Sequence, residues 1–283
     1  MEASPEPCLL DPDPDVVGVG IRVSLYVLAL SGHIFPYIFD SAELSDAIES
    51  SLGVTGLAIF LTTLITTARQ SLSLFQALCI FHLIGIVGIS ARPRGRYASG
   101  LVRKYVFTTF YVLVTAGSLA YLIYVFATAP TFGSNPECND STVYVLFGVD
   151  IPATSPVLCW MLVAVLATLL LGICCWLLIV VCISADVILR REPDLHEGHN
   201  GHKDGRKQVP YELIGRLAGT IYLAVMLELM MKRNALAPGV DLWSFGQVLA
   251  MTMLVGPLIE LASLILGKVD ERQHNELAMT RTA

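Results

Sequence analysis

Charged side chains are scarce in this sequence. They make up 15% of its 283 residues, against about 25% in a typical soluble domain, too few to clothe a water-soluble globule of this length. Catalytic signatures are lacking as well. There is no HExxH helix, no G-x-S-x-G turn, no Walker lysine loop and no pair of aspartates inside an apolar stretch. Catalysis needs a nucleophile or metal held beside a base, so an enzyme is not expected, nor a cofactor. Basic clusters interleaved with aromatics are absent, which excludes a nucleic-acid surface. The acidic start, with Glu2, Glu6, Asp11, Asp13 and Asp15, has no basic n-region or short apolar core, so a cleaved signal peptide is not expected.

Apolar residues are abundant instead, at 54%, with a mean hydropathy of +0.66. They come in long unbroken blocks rather than the stripe of an amphipathic helix. A helix needs roughly 20 such residues to cross the hydrocarbon. Seven blocks qualify, near 16–39, 52–68, 72–91, 105–129, 157–186, 211–231 and 242–266. The expected fold is all-α: a polytopic membrane helix bundle over 16–266, after an external acidic segment 1–15 and before a cytosolic tail 267–283.

Lys and Arg in the connections set the orientation, because they are retained on the cytoplasmic side. The connection 92–104 holds Arg92, Arg94, Arg96, Arg103 and Lys104. The connection after span five holds Arg190, Arg191, Lys203, Arg206 and Lys207, and the tail holds Lys268, Arg272 and Arg281. That is thirteen on one face, against Arg69, Lys232 and Arg233 on the other. The N-terminus is expected outside and the C-terminus in the cytosol. Segment 40–50 does not help, being inner yet acidic and free of Lys and Arg. The connection 130–155 has no basic residue and carries the acceptor pattern Asn139-Asp140-Ser141 on the outer face, making Asn139 a glycosylation candidate.

Of seven cysteines, Cys79, Cys174, Cys175 and Cys182 fall inside spans, where a thiol acts as a small apolar group. Cys8, Cys138 and Cys159 lie on or near the outer face, where oxidation permits a bridge. Cys8–Cys138 is favoured, Cys138–Cys159 is the rival, and no bridge remains open.

Ionisable residues at membrane depth need partners or water. Arg216 and Glu260 reach similar inner levels on helices six and seven, which predicts an ion pair. Arg22 and Glu228 match near the outer side, although Glu228 can equally meet Lys232 one turn on. His82, the most central, is expected neutral on a hydroxyl or backbone carbonyl. His33 is expected at the inner headgroups or water. Gln247 can hydrogen-bond a neighbouring helix. Gly215 and Gly219 form a GxxxG pattern suited to close helix contact or self-association; Gly53/Gly56 and Gly85/Gly88 are similar. Gly256-Pro257 should kink helix seven. His196, His199 and His202 have metal-compatible spacing, but the interleaved Gly198, Gly201 and Gly205 favour a solvated linker.

Seven spans with an external N-terminus resemble the plan of G-protein-coupled receptors. The motifs do not follow: Ser90-Ala91-Arg92-Pro93 ends the third span where an acidic-Arg-aromatic triplet belongs. Gly256-Pro257 stands where Asn-Pro-x-x-Tyr belongs, and the seventh span has no retinal-binding lysine. The opening Asp13-Pro14-Asp15-Val16-Val17-Gly18-Val19-Gly20-Ile21-Arg22 resembles uncharacterised multi-span membrane proteins of filamentous fungi. So do Trp243-Ser244-Phe245-Gly246-Gln247-Val248 and Gly256-Pro257-Leu258-Ile259-Glu260. That resemblance implies the seven-span plan and supplies no activity.

The expectation is a non-catalytic protein of the plasma membrane or another secretory-pathway membrane, with a sensor or receptor-like role. A cytosolic partner is expected at the 187–209 loop. The alternative is an oligomeric channel or transporter whose polar path is lined by Arg22, Glu228, Arg216 and Glu260.

Overall fold

The computed structural model describes residues 8–39, 41–90, 101–189, 210–238 and 243–282. Its helices are α1 (Pro14–Val17), α2 (Val19–Phe39), α3 (Ala42–Ala68), α4 (Leu74–Ser90), α5 (Leu101–Ala127), α6 (Pro156–Leu189), α7 (Pro210–Arg233), α8 (Phe245–Thr252) and α9 (Val255–Thr282). Five of the apolar stretches, Pro14–Phe35, Glu43–Ala68, Pro156–Ile179, Tyr211–Arg233 and Phe245–Gly267, are long and apolar enough to cross a membrane. Leu74–Ser90 and Tyr111–Ala127 are shorter apolar helices. The protein is a membrane-embedded, mostly helical, multi-pass chain.

Helix boundaries depart from the apolar blocks where capping intervenes. The acidic segment 40–50 is not a loop: α3 begins there, with Ser41 as N-cap accepting from the Leu44 amide. Glu43 therefore sits in the first turn, near the positive end of a helix dipole, where an acid is favourable. The tail, expected as an appendage, continues α9 to Thr282.

The chain divides into two compact units. In the first (residues 1–92, 130–153 and 216–283), α4 is the central element. Eleven of its seventeen residues are buried, from Leu74 to Ser90, so it is apolar on nearly every side. That is the pattern of a helix surrounded by protein. Ile21, Leu25, Leu28 and Ala29 form the inward stripe of α2, and Leu44, Ile48 and Leu52 that of α3. Without water to drive helix association in lipid, close fit does the work. A Cβ on Gly56 would stand 2.7 Å from Val87, and one on Gly85 would stand 2.9 Å from Leu223.

One end of this unit is capped. Cys8 is bridged to Cys138, with Cα atoms 5.6 Å apart, while Cys159 is a buried thiol outside that bridge. Leu10 exchanges backbone hydrogen bonds with Ala235 and Ala237. Gly133, at φ 81, places its backbone against the Leu72 carbonyl, which a Cβ would meet at 2.2 Å. The cap also departs from an all-α fold in an antiparallel hairpin of β1 (Val143–Leu146) and β2 (Val149–Pro152). Its Tyr144 is buried, and burial, reinforced by nearby Tyr222, pushes the phenol pKa upward.

In the second unit (residues 93–129 and 154–215) α5 packs along α6. Helix α6 leaves Val157, Trp160, Leu169, Leu171, Trp176, Leu178 and Ile179 exposed. A long helix with apolar side chains turned outward is suited to lipid as its solvent.

Asn139 is 3% exposed, and its Nδ2 donates to the Phe132 carbonyl at 2.9 Å. A glycan needs that atom free on the surface, so the acceptor reading gives way to a structural role within the cap. Peptide N-glycosidase should leave electrophoretic mobility unchanged; a shift abolished by Asn139→Gln would contradict the buried placement. Peptide mapping without reductant should recover Cys8 linked to Cys138. Cys8→Ser should cost about 2–5 kcal/mol of stability, whereas a Cys138–Cys159 product would refute this cap.

Candidate functional site

The site starts from a helix that breaks. Asp13 caps α1 by accepting from the Asp15 amide, Pro14 opens the helix, and Gly18 ends it in an extended conformation (φ −61, ψ 159) before α2 resumes. Seryl-capped α8 docks on this break. Ser244 accepts from the Gln247 amide, and Gln247 Oε1 accepts from the Gly20 amide at 3.0 Å. Asp15 Oδ1 accepts from the Gly246 amide at 2.9 Å. A Cβ on Gly18 would lie 2.3 Å from Gln247 Nε2, and one on Gly20 would lie 2.8 Å from Gln247 Cβ. The two sequence segments singled out above are thus halves of one joint, and Gln247 is 1% exposed within it.

The break also feeds the ion pair. Arg22 Nε donates to the Val17 carbonyl at 3.0 Å, next to the interruption. Its Nη1 pairs with Glu228 Oε1 on α7, and Tyr26 OH donates to the same oxygen at 2.9 Å. Glu228 therefore takes Arg22 as its partner, and no Glu228–Lys232 pair occurs among the described residues. Arg22 is 6% exposed, whereas the Glu228 side chain is 43% exposed. Glu228 faces a shallow depression of about 370 Å³ lined by Tyr26, Ala224, Val225, Glu228, Leu229 and Lys232.

Two histidines add further polar ties. His82 Nδ1 lies 2.9 Å from the Leu78 carbonyl, one turn back on α4, and its ring lies tilted against Tyr144 of the hairpin, with centroids 5.6 Å apart. His33 differs from its expected place at headgroups or water: it is 1% exposed. Its Nε2 lies 3.0 Å from Thr220 Oγ1 on α7 and 3.3 Å from Ser90 Oγ on α4. The hydroxyls supply in protein what the lipid surface was expected to supply. Three helices meet at this histidine.

Sequence reasoning missed His33 and Tyr26 as members of the seam. A signal was present: Arg22, Tyr26 and His33 fall on one helical stripe of α2, facing the α7 positions Glu228 and Thr220.

Other candidates are placed differently. Arg22–Glu228 and Arg233–Asp150 are ion pairs of the first unit; an Arg216–Glu260 pair does not occur among the described residues. Helix seven is interrupted at Met253–Leu254, between α8 and α9. Pro257 has no N–H for the Met253 carbonyl, and the Leu254 amide turns tightly onto the Met251 carbonyl at 3.1 Å. Gly256 lies within that first turn of α9. A Cβ on Gly219 would meet Ile89 at 3.2 Å, which commits this glycine to packing within the chain; Gly215 has open space. His196, His199 and His202, with the 187–209 loop from residue 190 on, lie outside the described residues. Among the described residues no metal-holding cluster of His, Cys, Asp or Glu occurs.

Comparison with protein-family models, curated proteins and solved structures gives no match. The geometry alone carries the functional reading.

A double-mutant cycle on Arg22→Ala and Glu228→Ala, read by unfolding in detergent, should show a coupling of about 1–3 kcal/mol. Additivity within about 0.5 kcal/mol would mean the two charges do not support one another.

Proposed function

We propose that the chain is a seven-span membrane protein of the plasma membrane or another secretory-pathway membrane, non-catalytic and sensor or receptor-like. Its capped end faces outside and its C-terminus the cytosol. The two shorter apolar helices beside the five long stretches support seven spans. The Cys8–Cys138 bridge supports an outward cap, because such bridges persist in oxidising compartments. The positive-inside count agrees.

The observation that carries the sensor reading is closure of the polar seam. Arg22 is held by Glu228 and the Val17 carbonyl, and His33 Nε2 lies within hydrogen-bond reach of two hydroxyls. A conducting path keeps its charges turned toward water; these are turned toward one another, linking the cap-side joint to helices α4 and α7. The membership suggested by the fungal resemblance stays part of this proposal. It is supported by the contact between the two motifs that carry it.

The rival, a channel or transporter, draws on one observation: Glu228 is half exposed in its depression. Recording from reconstituted bilayers separates the two. The expected result is no current from the wild-type chain or from Glu228→Gln. Ion flux that Glu228→Gln or Glu260→Gln alters at normal protein level would establish the rival instead. A tag at the N-terminus should be accessible on intact cells, and a C-terminal tag should not.

A further inference from the structure

The hairpin of the cap runs back along the helices instead of standing away from them. Val143, where β1 begins, is held by Asn234 just past the end of α7, which accepts from its amide and donates to its carbonyl. Gly148 and Asp150 are held by Arg233, the last residue of α7. At the tip, the Phe147 amide donates to Tyr222 Oη at 3.4 Å, and the two rings lie 5.2 Å apart. Tyr222 is about 16 Å back from Arg233 at the helical rise. A second ruler agrees. Gly133 and Ser134 touch Leu72 just before α4, whereas Tyr144 reaches His82, about 12 Å farther in.

Three properties of the tip fit hydrocarbon rather than water. Phe147 is 78% exposed and Val149 61% exposed, so the outward surface of the tip is apolar. Backbone groups that lipid could not satisfy are met by side chains of α7 and of Asn234 just after it: both groups of Val143, the Phe147 amide and the Gly148 carbonyl. Phe147 also sits at φ 50, in a two-residue turn whose left-handed positions suit Asn, Asp or Gly. In water, strain and exposure would both count against phenylalanine there; in hydrocarbon, transfer of the ring offsets the strain. Lys232, Arg233 and Asp150 mark the polar boundary above the tip, as basic residues do at the headgroup level.

We infer that the β1–β2 tip dips below the headgroups at the capped end and that its partner there is lipid, with Phe147 and Val149 against acyl chains. This rests on the membrane-embedded reading and gives the proposed sensor a surface that touches the bilayer itself.

Spin labels test it in proteoliposomes, with every cysteine except Cys8 and Cys138 replaced by alanine. Labels are placed singly at Phe147→Cys, Val149→Cys and the reference Leu171→Cys, whose parent residue is 64% exposed on α6. At all three, collision with lipid-soluble oxygen should exceed collision with a water-soluble nickel chelate. The reverse preference at both 147 and 149, beside a lipid-like 171, overturns the inference and leaves the membrane reading intact. A water-like 171 overturns the membrane reading and the inference with it.

Discussion

The close approach of α8 to the α1–α2 break is the constraint on which the rest of this unit depends. Because Gly18 and Gly20 carry no side chains, Gln247 can lie against the backbone and accept from the Gly20 amide. Because the helix is interrupted there, the Val17 carbonyl lies open to Arg22. A buried guanidinium is costly unless its donors are met. The break supplies one acceptor, and α7 supplies the other in Glu228. Backbone geometry at two glycines thereby sets the position of a charge, and the charge registers α2 against α7.

From that register the deeper contacts follow. The stripe that places Arg22 on Glu228 also places His33 on Thr220, with Ser90 of α4 completing the contact. The buried α4 thus receives a polar tie from α2, which His33 shares with α7. In lipid, where apolar contact alone discriminates little between helix pairings, such ties and small-residue contacts specify which helices meet.

Legibility divides along physical lines. A membrane-embedded, mostly helical chain was plain because its long apolar blocks are suited to lipid as their solvent. The level of Arg22 and Glu228 could be computed from helical rise. Their adjacency could not, since it depends on which helices are neighbours. The same gap explains Arg216 and Glu260: matched depth and a short connection suggested contact, but depth says nothing of the direction a side chain faces. His33 was misjudged because headgroups were assumed where Thr220 and Ser90 stand. The hairpin escaped notice because a connection without basic residues reads as an outer loop. Only the Asn234, Arg233 and Tyr222 contacts reveal that it folds back on α7. The break of helix seven was foreseeable from Pro257, although it falls at Met253–Leu254, where the missing donor is felt.

The cap and the joint have a consequence for biosynthesis. Cys8 waits for Cys138, Leu10 for Ala235, and Gly20 for Gln247, a separation of 227 residues. While the ribosome is still delivering the later helices, the segment around residues 8–22 has none of these partners. Arg22 must then enter or skirt the lipid before its counter-ion exists. Closure of this unit is therefore a long-range event, performed by a stretch synthesised 227 residues before its last partner.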